Sequence, residues 1–156
     1  MLEMRVRIRR GRRTDFTAVM QLLAASGTPV PSPERATLRR FRYLVADLGG
    51  DFYLALLEGE LAGLVHVTYA RQLAVPPAAR VEQLVVAAAR RRCGVGSALL
   101  RFAQQRARQR GCGTLSCTVG GSAPPPHRFF EKGGFRASGT FFVQELQLEE
   151  READGA

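Results

Sequence analysis

The sequence predicts a mixed α/β domain, and three observations carry that expectation. Apolar and polar residues alternate near the start, in "MRVRIRR", and near the end, in "FFVQELQL", which is the period of strands with one wet face. Gly94 to Gln109 carries apolar residues at helical spacing instead. Directly before that helix stands an apolar run, "ARVEQLVVAA", separated from it only by a short arginine-rich turn.

Each element follows from its own pattern. Val6 and Ile8 alternate with Arg5, Arg7 and Arg9 as the first strand. Thr14 or Asp15 can cap the next segment, where Phe16, Val19, Met20, Leu22 and Leu23 recur at helical spacing until Gly27. Pro29, Pro31 and Pro33 make a loop, and Ser32 or Pro33 opens a second, arginine-rich helix carrying Leu38, Phe41, Leu44 and Val45 toward Gly49 and Gly50. "DFYLALLEGELAGLVHVTYA" reads as two apolar strands hinged at "EGE", and Ala79 to Ala87 as another strand. The long helix then turns Val95, Ala98, Leu99, Phe102, Ala103 and Ala107 to one side, and Gly111 and Gly113 end it. "TLSCTV" is a strand, "GGSAPPPHRFFEKGGF" a loop entering a short helix, and "FFVQELQL" the last strand. Residues 1–148 make one domain, and the polar remainder 149–156 should fray.

Composition bounds the function. A chain of 156 residues, 46% of them hydrophobic, can bury a core without staples. It has no apolar run long enough for a membrane span, and its N-terminus is charged where a signal peptide would be apolar, so a cytoplasmic protein is expected. Cys93, Cys112 and Cys117 show neither a paired motif nor metal-ligand spacing, which argues against a disulfide framework or a zinc site. The net charge of +9 admits a nucleic acid or an anionic small molecule as partner. Arginines spread from Arg5 to Arg151 form no localised basic tail, and no helix-turn-helix or stacking motif accompanies them, so no nucleic-acid partner is expected.

The stretch "ARRRCGVGSALL" is where chemistry gathers. The first turn of a helix offers backbone N–H groups without internal partners and the positive end of the helix dipole, and glycine lets an anion approach closely. A phosphate suits such a turn, with Arg91 and Arg92 adding charge-assisted contacts. Two phosphate motifs fail here. Gly96 is followed by Ser97 and Ala98 with no lysine, and "GVGSAL" lacks the third glycine of a dinucleotide fingerprint.

What "RRCGVG" does resemble is the acetyl-CoA signature R/Q-x-x-G-x-G/A of the GCN5-related N-acetyltransferases, with Arg91, Gly94 and Gly96 in its fixed places. "VEQLVV" before it looks like that family's fourth strand, and "HRFFEKGGF" resembles its C-terminal segment, commonly HRFYEKLGF. The resemblance covers nearly the whole chain. It implies a seven-stranded, largely antiparallel sheet with four helices, parallel and splayed where the strands at 79–87 and 114–119 flank the cofactor.

The same resemblance implies an activity and roles for residues. It implies acetyl-CoA as cofactor, its pantetheine arm against exposed backbone at Leu84, Val85 and Val86, and its pyrophosphate on the turn of Arg92, Cys93, Gly94, Val95, Gly96 and Ser97, with Arg91 at the rim. It implies direct attack by a primary amine on the thioester, the carbonyl polarised by the N–H of Val85 or Val86. Glu82 falls where several relatives carry a base, and its other reading is a solvent-reaching carboxylate that attracts a cation into the cleft. The resemblance also admits a homodimer, since many relatives pair through C-terminal strands.

Departures from the pattern matter as much. Phe130 stands where relatives place a tyrosine that protonates the leaving sulfur, so the usual acid is absent, although a phenyl ring can still pack beside the arm. Relatives often place a cofactor-contacting asparagine near Ala123, where Ser122 is the nearest polar substitute. His127 reads as a surface residue, and Cys93, with no partner base in view, as a structural or oxidisable thiol. Tyr43, Tyr53 and Tyr69 are the chain's tyrosines, one of which could supply the missing hydroxyl. Tyr69 and Arg71 are the candidate substrate residues, and with Arg39, Arg40 and Arg42 they suit an acidic amine such as an amino acid or aminophosphonate. An acetyltransferase acting on a small-molecule amine is therefore expected. A non-catalytic acyl-CoA-binding module, and a protein N-terminal or lysine acetyltransferase, are the alternatives.

Overall fold

In the computed structural model, which describes residues 5–29, 34–118 and 127–146, the strand and helix periods read from the sequence become two layers of helix around one sheet. The strands are β1 (Val6–Arg10), β2 (Asp51–Leu57), β3 (Glu60–Ala70), β4 (Ala78–Val86) and β5 (Thr114–Cys117), side by side in that order. The helices are α1 (Phe16–Ala25), α2 (Glu34–Ala46), α3 (Val95–Gln109) and α4 (His127–Lys132). β1 to β4 pair antiparallel, and β4 pairs parallel with β5.

Because side chains alternate across a strand, the central strands β2, β3 and β4 feed two cores. Phe52, Leu54 and Leu64 turn to one face and pack with Val19 and Leu22 of α1 and Phe41 and Val45 of α2. Ala55, Leu57, Val65, Val67, Ala79 and Val81 turn to the other, where Val95, Leu99, Ala103 and Ala107 of α3 cover them. Burial of a side chain such as Leu99 contributes about 1.5–3 kcal/mol, Val95 one turn before it adds a comparable amount, and the small Ala103 and Ala107 contribute less but keep α3 close to the sheet. α3 also crosses β3 very closely. A Cβ at Gly63 would stand 2.7 Å from the Val85 carbonyl oxygen and about 3 Å from Leu99 and Val95 side chains, so only glycine fits that crossing.

The seven-stranded expectation is corrected to five strands among the described residues. Arg136 to Leu146 joins no ladder, and Phe141, Phe142, Val143 and Leu146 are exposed, Phe142 at 90%. The physical reason is a missing partner: alternation makes a segment able to pair but does not provide an edge, and β5 offers only four residues. The strand expected over 114–119 is formed at Thr114–Cys117 and does not include Thr118, while Val119 lies outside the described residues. Residues 147–156, including the tail expected to fray, and Ser122 lie outside the described residues.

Candidate active site

The ladder between β4 and β5 runs from Ala78↔Thr114 to Val81↔Cys117 and ends there, although β4 continues to Val86. On the β5 side, the backbone of Glu82 to Val86 therefore has no ladder partner among the described residues, which leaves a row of donors and acceptors open to a ligand. On its other side β4 stays paired with β3 beyond that point, in register Leu64↔Val85 and Gly63↔Val86. That register slips once. His66 faces Gln83 and Val67 faces Val81, so Glu82 is the extra residue of a β-bulge at the point where β4 and β5 part.

Past Val86 the chain makes a short 3-10 turn at Ala88–Arg90 and reaches the turn picked out by sequence. Arg92 adopts a left-handed φ of 63° and Gly94, which precedes α3, one of 78°. The left-handed residues fold the backbone into a concave turn ahead of α3, where the N–H groups of Val95, Gly96 and Ser97 have no acceptor within the helix. Arg90 is occupied by Glu58 at 3.2 Å, whereas Arg91 and Arg92 are exposed and have no ion-pair partner among the described residues. Two free guanidinium groups beside a helix start fit an anion such as a pyrophosphate. The Cys93 thiol donates to the Arg91 carbonyl oxygen at 3.7 Å.

Gly96 marks where α4 meets this turn. A Cβ there would stand 3.4 Å from the Phe129 ring and 3.5 Å from Val86, so the aromatic closing over the helix start is Phe129. Phe130 stacks edge-on between Phe129 and Phe135, at 5.2 and 5.5 Å between centroids. The Gln104 amide holds α4 to α3 by donating to the Gly133 carbonyl at 2.8 Å.

Glu82 is exposed on the α1–α2 face, where the Thr68 hydroxyl donates to its Oε1 at 2.7 Å and Arg80 Nε lies 3.7 Å from the same oxygen. Thr68 and Arg80 face each other in register, and His66, two residues before Thr68 on β3, stacks its ring on Phe52 at 5.9 Å. Burial pushes the His66 imidazole below its usual range, against the pull of Glu82 and Asp47. Sequence reasoning singled out Glu82 but neither of the two side chains that contact it, Thr68 and Arg80. The strand pattern hinted at Arg80, two places before Glu82, but the Thr68 pairing depends on a hairpin register that no local pattern fixes.

Tyr69 is placed differently from the sequence expectation. Its hydroxyl donates to Asp51 Oδ2 on the α3 face, across the sheet from Glu82. Asp51 is 1% exposed and gathers Arg106 through two hydrogen bonds at 3.0 and 3.1 Å, Arg110 at 3.1 Å and Arg10 at 4.0 Å. Burial alone would push its carboxyl up. The hydrogen bonds from Arg106 and Tyr69, with the charges of Arg106 and Arg110, outweigh that and hold it below the usual range. Burial, reinforced by the bond to Asp51, raises the Tyr69 phenol well above its own. Tyr53 stacks on Phe102, and Tyr43 is exposed on α2. Arg71 stands exposed in the loop after β3, and Arg39, Arg40 and Arg42 lie exposed along α2.

The β4–β5 ladder thus ends just before Glu82, and β4 leads on to the glycine-containing turn that opens α3. The model of the acetyltransferase (GNAT) family matches residues 16–135, and the chain belongs to that family. Similar solved structures agree in fold. A transcriptional regulator from Bacillus halodurans C-125 superposes with TM-score 0.81 at 26% identity, over 91% of this chain and all of that one. A putative acetyltransferase from Agrobacterium tumefaciens str. C58 gives 0.79 at 22%, over 90% and 99%. Glucosamine-6-phosphate N-acetyltransferase from Arabidopsis thaliana gives 0.78 at 18%, over 92% and 99%. No curated protein matches by sequence.

Proposed function

We propose that the protein transfers an acetyl group from acetyl-CoA to the primary amine of a small molecule, the amine attacking the thioester while both are bound. The observation that carries this reading is the end of the β4–β5 ladder at Val81↔Cys117, with Glu82 at the fork and the Arg91–Ser97 turn just beyond it. Acetyl-CoA fits these residues by chemistry. Its pyrophosphate matches Arg91, Arg92 and the free N–H groups of Val95 to Ser97, and its amide-bearing arm matches the open backbone of Leu84 to Val86. The cofactor, when bound, supplies an acetyl group activated as a thioester.

The chain's own residues do the rest. Glu82, oriented by Thr68, takes the proton that the ammonium form of the acceptor must lose. A backbone N–H of Val85 or Val86 polarises the acetyl carbonyl, a contact that strengthens as charge develops on oxygen. Phe130, held between Phe129 and Phe135, donates no proton, so a departing thiolate collects one from water. The acceptor is a small molecule in the cytoplasm, not a nucleic acid, and a homodimer is compatible with this arrangement. In the second reading, favoured by Phe130 alone, the chain binds acyl-CoA without transfer.

Release of free thiol from acetyl-CoA against a broad panel of amines tests the proposal. It predicts release with one class of primary amine, and a roughly 10²- to 10⁴-fold lower kcat in Glu82→Gln with acetyl-CoA affinity kept. Acetyl-CoA binding without release from any amine would overturn it in favour of the second reading.

A further inference from the structure

Beside the proposed base stands a cation that the base does not need. Arg80 is the cross-strand neighbour of Thr68, so both, with Glu82, lie on the same open face. Its Nη2 donates to Thr118 Oγ1 at 2.9 Å, beyond the end of β5, and its guanidinium lies over the Phe141 ring at 5.6 Å. Three elements thus aim one side chain. Its Nε reaches only within 3.7 Å of Glu82 Oε1, and its Nη1 has no partner among the described residues. The two side chains are 42% and 37% exposed, so a ligand can touch both.

This geometry bears on what the acceptor must be. Arg80 cancels much of the attraction that Glu82 alone would exert on a simple ammonium ion, and presents a solvent-facing guanidinium N–H that a ligand can take over from water. A molecule with its ammonium and a carboxylate on the same carbon matches the pair, the nitrogen toward Glu82 and the carboxylate oxygens toward Arg80 Nη1. We propose that Arg80 makes this site selective for α-amino acids, its guanidinium receiving the acceptor's carboxylate while Glu82 receives the amine. The inference rests on the acetyltransferase reading above and adds the substrate class.

The test compares thiol release for each α-amino acid with release for the amine obtained by removing its carboxyl group: leucine with 3-methylbutylamine, phenylalanine with phenethylamine, arginine with agmatine. A charge-assisted contact made only by the amino acid predicts about a 10- to 100-fold higher kcat/KM for the best one than for its decarboxylated partner. Arg80→Gln should bring that ratio close to one, mainly by raising KM for the amino acid, and Arg80→Lys should restore part of it. Equal rates for both members of every pair in the wild-type protein would overturn the selectivity and leave the acetyltransferase reading standing. So would an Arg80→Gln variant, folded and binding acetyl-CoA, that loses the same factor on both members, since Arg80 would then only orient Glu82. Acetyl-CoA binding with no release from any member of the panel would overturn both.

Discussion

Gly63 has no room for a side chain, and this can be measured. Gly63→Ala drives a methyl to 2.7 Å from a backbone oxygen that cannot move without breaking the β3–β4 ladder. Overpacking of this kind costs about 1–3 kcal/mol, so the thermal midpoint should fall by several degrees. Gly94→Ala acts through conformation instead: no atom crowds its Cβ, but φ of 78° is strained for alanine by about 1–2 kcal/mol. That variant should remain folded and bind acetyl-CoA more weakly, as calorimetry would show. Asp51 makes the third prediction at this scale. Removing the charge strands three arginines around a buried amide, so Asp51→Asn should cost about 3 kcal/mol, the low end for a buried pair because the guanidinium ends reach water. A carboxyl whose folded pKa lies below the unfolded one gives stability that is complete above the unfolded value near 3.8 and is lost as pH falls through the folded value. The stability difference between wild type and Asp51→Asn should therefore be constant near neutrality and shrink in acid, as thermal melts between pH 7 and pH 2 would reveal. A difference that stays constant into strong acid would contradict the depressed pKa.

Among the elements, α3 was the most legible in sequence, because its apolar stripe and flanking glycines act locally. Val95, Leu99, Ala103 and Ala107 are buried as the spacing implied, and Leu100, which the stripe omitted, is buried as well. β1 to β4 were legible for the same reason, each within a residue or so of its expected ends. What was not legible depends on pairing. The bulge that isolates Glu82, and the register that sets Thr68 against Arg80, arise between strands far apart in sequence. The C-terminal segment shows the converse. "FFVQELQ" has a strand's alternation, yet Phe141 to Leu146 is unpaired, since a strand exists only where an edge receives it. The turn before α3 is legible as a motif of fixed residues, and its glycines have local reasons: Gly94 takes a left-handed φ of 78°, and Gly96 leaves room for the Phe129 ring beside the helix start.

For the whole molecule, the net charge of +9 resolves into two populations. Arg10, Arg106 and Arg110 converge on Asp51 and fasten β1 and the end of α3 to the start of β2, so part of the arginine excess holds the fold together. Even spacing along the chain concealed that convergence. Arg91 and Arg92 belong to the other population, exposed before the start of α3 and without an ion-pair partner among the described residues, so their positive charge is available to an anionic ligand. The functional account depends on that second population and on the open backbone of β4 acting together across the sheet. Calorimetric titration with acetyl-CoA tests this most directly. The account predicts one molecule bound per chain, with affinity that weakens in Gly94→Ala and in an Arg91→Gln, Arg92→Gln double variant. No binding, or binding that those variants leave unchanged, would contradict it.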